Sequence, residues 1–75
     1  MNVAILGYGT VGSGVYDVLT KNAALISKRV GFDLDVKYVL DLREFPGDPV
    51  EKILVHDFKA VIDDPDVDVV VEVMG

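Results

Sequence analysis

The sequence predicts an α/β fold, a parallel sheet with flanking helices, and three observations carry that expectation. The chain opens as an apolar run, Val3-Ala4-Ile5-Leu6, that passes straight into a glycine-rich turn and then into a helical periodicity. A second strand-like stretch ends at Asp41. A third, Val67 to Met74, is β-branched and almost continuously apolar, the pattern of a strand buried on both faces. Strand, helix, strand, short crossover, strand implies parallel pairing with right-handed connections.

Each element has a local reason. After the turn, Val11, Val15, Val18, Leu19, Leu25 and Ile26 recur at helical spacing with Asp17, Lys21 and Lys28 opposite, which predicts one helix from about Thr10 to Lys28. Lys28 and Arg29 suit its negative end, and Gly31 is the stop signal. Gly12 and Gly14 each cost roughly 1 kcal/mol relative to alanine in a helix interior, so the pair predicts a close approach near the helix start. Phe32 to Asp41 alternates and then turns continuously apolar, a second strand. Leu42 to Pro49 carries Pro46, Gly47 and Pro49 and reads as a loop in place of a longer crossover. Ile53 to His56 predicts a short strand, and Phe58 to Asp63 one or two helical turns before Pro65.

Composition narrows the function classes. Seventy-five residues make one small domain, and 51% hydrophobic content with a mean hydropathy of +0.38 argues against a disordered tail. Seven basic against thirteen acidic residues give a net charge of -6 and a pI near 4.4, with no basic run. Nucleic acid and anionic membrane are therefore not expected partners. There is no cysteine, hence no disulfide or thiolate metal site, and no apolar run near the roughly 18 residues of a membrane helix. The expected location is cytoplasmic.

Gly7-Tyr8-Gly9-Thr10-Val11-Gly12 is G-x-G-x-x-G between a strand and a helix, the context in which that hexapeptide signifies dinucleotide binding. Gly7 serves the tight turn, Gly9 lets a pyrophosphate approach, and Gly12 lets the helix pack closely on the strand. Backbone N–H groups of Tyr8, Thr10 and Val11 and the positive helix end would hold the phosphates, with the Thr10 hydroxyl as an extra donor. The Tyr8 ring either lies over the cofactor at the surface or has no role. Asp41, 29 residues beyond Gly12, is either an acceptor for the adenosine ribose or a turn acid. Arg43 two residues on could grip a 2′-phosphate, so NAD and NADP both remain open. His56 reads as a structural residue and Glu72 as facing either the crevice or solvent. Asp63-Asp64-Pro65-Asp66-Val67-Asp68 lacks the glycine and closing glutamate of a calcium loop and reads as a solvated turn. No metal site is expected.

AILGYGTVGSGV, then VKYVLDL and IDDPDVDVVVEVMG, resembles the amino-terminal Rossmann-type cofactor domain of homoserine dehydrogenase over nearly the whole chain. The more specific parts are TVGSGV and the closing VVVEVMG. The resemblance implies NAD(P)-dependent interconversion of aspartate semialdehyde and homoserine, in the route to threonine, methionine and isoleucine. It implies pyrophosphate contacts from Tyr8 to Gly12, and Met74 and Gly75 beside the nicotinamide ribose. Family members often carry a basic residue directly before the acid that ends the second strand; here Leu40 precedes Asp41 and Arg43 follows two later, which leans the expectation toward NAD or dual use. The family's catalytic lysine and substrate residues lie in a second domain beyond residue 75. The expectation is thus a partial NAD(P)-binding domain over 1–75, its adenosine-binding half, with no catalytic residue and no activity alone. Alternatives are the cofactor domain of another amino-acid or semialdehyde dehydrogenase, or a non-catalytic dinucleotide sensor. Alone, the Val67 to Met74 strand is expected to form an open apolar edge through which the chain becomes a homo-oligomer.

Overall fold

A computed structural model describes residues 1–31 and 33–74, so the start of the second strand at Phe32 and the role of Gly75 lie outside the described residues. The elements are β1 (Asn2–Leu6), α1 (Thr10–Lys21), α2 (Ala23–Val30), β2 (Asp35–Leu40), a 3₁₀ turn (Pro49–Lys52), β3 (Leu54–Val55), α3 (Phe58–Ile62) and β4 (Val67–Glu72). All three pairings are parallel and the sheet order is β3-β2-β1-β4. β1 therefore lies inside the sheet, with Ile5 opposite Val39 on one side and Val71 on the other.

The alternation along β1 makes the core. Val3 and Ile5 join Tyr8, Val39 and Val50 in one buried cluster, and Val15, Tyr16 and Leu19 of α1 pack against it. Those three α1 residues share one helix face, as their spacing of three and four requires. The opposite end of the sheet is fastened by acids. Asp64 accepts from Lys37 Nζ and the Tyr38 hydroxyl, both at 2.6 Å, and Asp68 accepts from the Asn2 backbone N–H at 2.8 Å. The Lys37 and Tyr38 bonds, with the Asp66 N–H, hold the Asp64 carboxyl down to about 2. The acidic turn before β4 is thus a tie between α3 and the sheet as well as a solvated surface. Among the described residues no group of three or more acids and histidines could hold a metal, and no helix is long and apolar enough to cross a membrane.

Four expectations are corrected. The single helix over Thr10 to Lys28 is two helices, broken at Asn22 (φ -107°, ψ 12°). The apolar period continues through the break. The break is local: Asn22 gives both its backbone N–H and its side-chain Nδ2 to the Val18 carbonyl, while its own carbonyl accepts from Ile26 N–H. The strand toward Asp41 starts only at Asp35. The final strand stops at Glu72 rather than Met74, because the exposed Glu72 carboxylate turns back to accept the Met74 N–H. Gly14 makes no close approach, since a Cβ added there would meet nothing within 4 Å.

Candidate functional site

β1 ends inside the sheet, so its outgoing turn is held from both sides. Gly7 N–H donates to the Leu40 carbonyl at 2.7 Å, and Val73 N–H donates to the Leu6 carbonyl at 3.0 Å. Gly7 adopts φ +104°, and a Cβ there would lie 2.7 Å from Met74 Cγ. Positive φ and close packing together explain glycine at this position. Gly12 is likewise compelled: an added Cβ would overlap the Gly7 carbonyl oxygen.

Gly9 differs. It is the N-cap of α1 with φ -77° and ψ -157°, a conformation any residue adopts, and an added Cβ would meet only Arg43 Nη2, at 3.8 Å. Nothing in the protein compels glycine here. α1 also begins without a side-chain cap and with no acid in its first turn, which leaves its positive end uncompensated. Thr10 and Val11 are exposed on that first turn.

The turn faces a cleft of about 580 Å³ that lies at the carboxyl ends of β1, β2 and β4. Gly7, Tyr8 and Gly9 form one wall, Asp41, Leu42 and Arg43 another, and Met74 closes the β4 side. His56 of the β3–α3 connection and Phe58 at the start of α3 also line it; neither was expected there. Their only signal in the sequence is apolar or aromatic character next to a short strand, and Leu42, 86% exposed, has no better one.

Asp41 and Arg43 form one unit. Oδ1 of Asp41 accepts from Arg43 N at 2.9 Å and Arg43 Nε at 3.0 Å; Oδ2 accepts from Arg43 Nη2 and Tyr8 N, both at 2.9 Å. The Arg43 side-chain bonds, with the backbone N–H groups of Arg43 and Tyr8, hold the Asp41 carboxyl well below the usual carboxylate range despite its burial. Asp41 correspondingly raises the guanidinium. His56 pins the same segment, with Nδ1 2.7 Å from the Asp41 carbonyl oxygen and Nε2 2.8 Å from Glu44 Oε1. It ties this segment together and stands at the cleft.

The Tyr8 side chain corrects its own reading as a surface aromatic. It is 8% exposed, packs edge-on against Phe45 and Tyr16, and donates its hydroxyl to Asp48 Oδ1 at 3.0 Å. Its backbone N–H faces Asp41 while its ring points into the core.

A parallel sheet with its first strand inside, a glycine turn opening a helix, and a cleft where the connections from β1 diverge define a Rossmann-type α/β domain. No family model matches the chain. It is 38% identical over 80 residues to homoserine dehydrogenase of Methylobacillus glycogenes and 41% identical over 78 residues to that of Bacillus subtilis. Each match takes in 100% of this chain and 19% or 18% of the relative. The crystal structure of S. aureus homoserine dehydrogenase at pH 6.5 superimposes with a TM-score of 0.87 at 34% identity, covering 100% of this chain and 19% of that one. Over its whole length the chain matches the amino-terminal fifth of homoserine dehydrogenases, and its parallel four-stranded sheet with flanking helices matches their Rossmann-like amino-terminal fold. It spans about a fifth of the length of the relatives it matches.

Proposed function

We propose that this chain is the cofactor-binding portion of an enzyme that interconverts L-aspartate 4-semialdehyde and L-homoserine with NAD(P)(H). Gly9 is the observation that carries the reading. Every other glycine of the hexapeptide has a reason inside the protein, whereas a Cβ at Gly9 would intrude only into the space between the turn and Arg43. A group that must approach that backbone closely supplies the missing reason. The uncompensated start of α1 fits a pyrophosphate there, with backbone N–H groups from Gly9 to Gly12 as donors. Asp41 and Arg43 then stand at the adenosine end and Met74 at the nicotinamide end. When bound, the nicotinamide ring supplies hydride chemistry. This chain's own residues bind and orient, and none of them is assigned to substrate.

Gly9→Ala tests the reading directly. Its backbone tolerates alanine, and the loss of glycine at the N-cap of α1 should lower stability by only about 1 kcal/mol, leaving the protein folded. Calorimetric titration should show dinucleotide affinity reduced about tenfold or more, the loss expected when a phosphate is held off its charge-assisted donors. Unchanged affinity in the variant would remove Gly9 from the site.

The β4 edge supports a second proposal, homo-oligomer formation by the chain alone. β4 pairs only with β1 among the described residues, and Val69 and Val70 are exposed along it. An open apolar strand edge invites pairing with another copy. Light scattering should report a mass that rises with concentration, and a monomer at all concentrations would contradict the proposal.

A further inference from the structure

In the free cleft, Asp41 has no acceptor position left for a ribose. A carboxylate offers about four lone-pair sites, and here four N–H donors, three from Arg43 and one from Tyr8, occupy them. A ribose hydroxyl could reach the carboxylate only by displacing a bidentate, charge-assisted pair, and it would bring a neutral donor in exchange. That exchange is unfavourable.

Arg43 is in the opposite condition. A guanidinium carries five N–H donors, and Asp41 takes two, through Nε and one N–H of Nη2. The side chain is 63% exposed, so three donors remain on its cleft and solvent side. It is also held in place. Its Cζ stands 5.3 Å from the Phe45 ring centroid, the Phe45 ring packs 4.9 Å from that of Tyr8, and Nη2 lies 3.8 Å from the Cβ position of Gly9. His56 Nδ1, 2.7 Å from the Asp41 carbonyl oxygen, ties the backbone just before Arg43. The result is an oriented cation at the adenosine end, one step from the phosphate turn, in a chain whose net charge of -6 offers an anion little other attraction.

Given the dinucleotide reading above, on which this inference rests, we propose that Arg43 selects the 2′-phosphate of NADP and that Asp41 is its positioning residue rather than a ribose acceptor. Asp41 neutralises Arg43 only along one edge. A 2′-phosphate, with nearly two negative charges and three acceptor oxygens, meets the free edge without breaking the Asp41 pair. An unphosphorylated ribose gains nothing from that edge.

Parallel titration of the 75-residue chain with NADP and NAD, in wild type, Arg43→Gln and Asp41→Asn, tests the assignment. Wild type should prefer NADP by about tenfold, the value of one charge-assisted contact. Arg43→Gln, a change at an exposed side chain, should erase that ratio. Asp41→Asn should lower it too, because an amide NH₂ in place of one oxygen releases Arg43. The rival assignment, in which the Asp41 carboxylate holds ribose and repels a 2′-phosphate, requires Asp41→Asn to raise the ratio. Such a rise, or NAD bound as tightly as NADP by wild type, overturns the proposal while leaving dinucleotide binding intact. Failure of wild type to bind either cofactor overturns the dinucleotide reading and this proposal with it.

Discussion

Replacing Gly12 by alanine is expected to unfold most of the protein under conditions where wild type is folded. The added Cβ would overlap the Gly7 carbonyl oxygen and lie 2.7 Å from the Gly7 carbonyl carbon, with Val73 Cγ2 at 3.3 Å. The first two are backbone atoms of the turn that leaves β1, and they cannot rotate aside as a side chain can. The turn is fixed in turn by Gly7 N–H on the Leu40 carbonyl, and its positive φ leaves little freedom to adjust. Relief must come from moving α1 away from the sheet, which withdraws Val15, Tyr16 and Leu19 from the core cluster.

Overpacking a well-packed site costs about 1–3 kcal/mol where side chains can give way, and a backbone clash belongs at or beyond the upper end. A chain of this length has about 4–11 kcal/mol of total stability. The loss is therefore a large share of the whole. Gly14→Ala, two residues along the same helix, is the internal control. It meets open space and replaces a helical glycine, so it should stabilise by about 0.5–1 kcal/mol. Urea unfolding followed by circular dichroism should move the two midpoints in opposite directions. A Gly12→Ala midpoint equal to wild type would mean that α1 does not approach β1 as described.

The same glycines show what the sequence could disclose and what it could not. The β1–turn–α1 unit was legible because its signals are contiguous: an apolar run, three glycines at fixed spacing and a helical period, all between Val3 and Leu19. β4 was legible because Val67, Val69, Val70, Val71 and the adjoining Val73 are strongly β-forming, whereas its place beside β1 is fixed by the fold. What failed to show were long-range polar contacts. The partner of the Tyr8 hydroxyl is Asp48, 40 residues away, and the partner of Asp64, in the turn before β4, is Lys37 of β2. No periodicity encodes either. Asn22 was misleading for the opposite reason, since its effect is confined to one carbonyl, that of Val18, while the apolar pattern runs past it. At the candidate site, the acid and the arginine were both visible, but the saturation of Asp41 depends on the Tyr8 N–H supplied by the distant turn.

Tyr8 is where that long-range dependence has its largest energetic effect. Tyr8→Ala should cost about 3–5 kcal/mol, the range for deleting a buried aromatic ring. The ring stands 4.9 Å from Phe45 and 5.8 Å from Tyr16, so it joins the β2–β3 connection to α1 through the core. Tyr8→Phe keeps both ring contacts and loses only the bond to Asp48, about 1 kcal/mol. Asp48 retains its Val50 N–H, so the 3₁₀ turn keeps its cap.

The smaller substitution carries a pH signature. Burial first, then the hydrogen bond and charge of Asp48, push the Tyr8 hydroxyl up to about 12 from 10.0. The folded protein thus holds this proton more tightly than the unfolded chain. Its contribution is complete below pH 10 and is lost as pH rises toward 12, because the unfolded chain ionises first. Tyr38, whose hydroxyl is raised by its bond to Asp64, contributes in the same direction to wild type and variant alike. The difference between them isolates Tyr8. Urea midpoints measured from pH 9 to pH 12 should therefore converge, with wild type starting above Tyr8→Phe and losing its advantage across the window. Parallel curves would show that the hydroxyl of Tyr8 is not held by Asp48 in solution, and the link between the glycine turn and the β2–β3 connection would then rest on the ring alone.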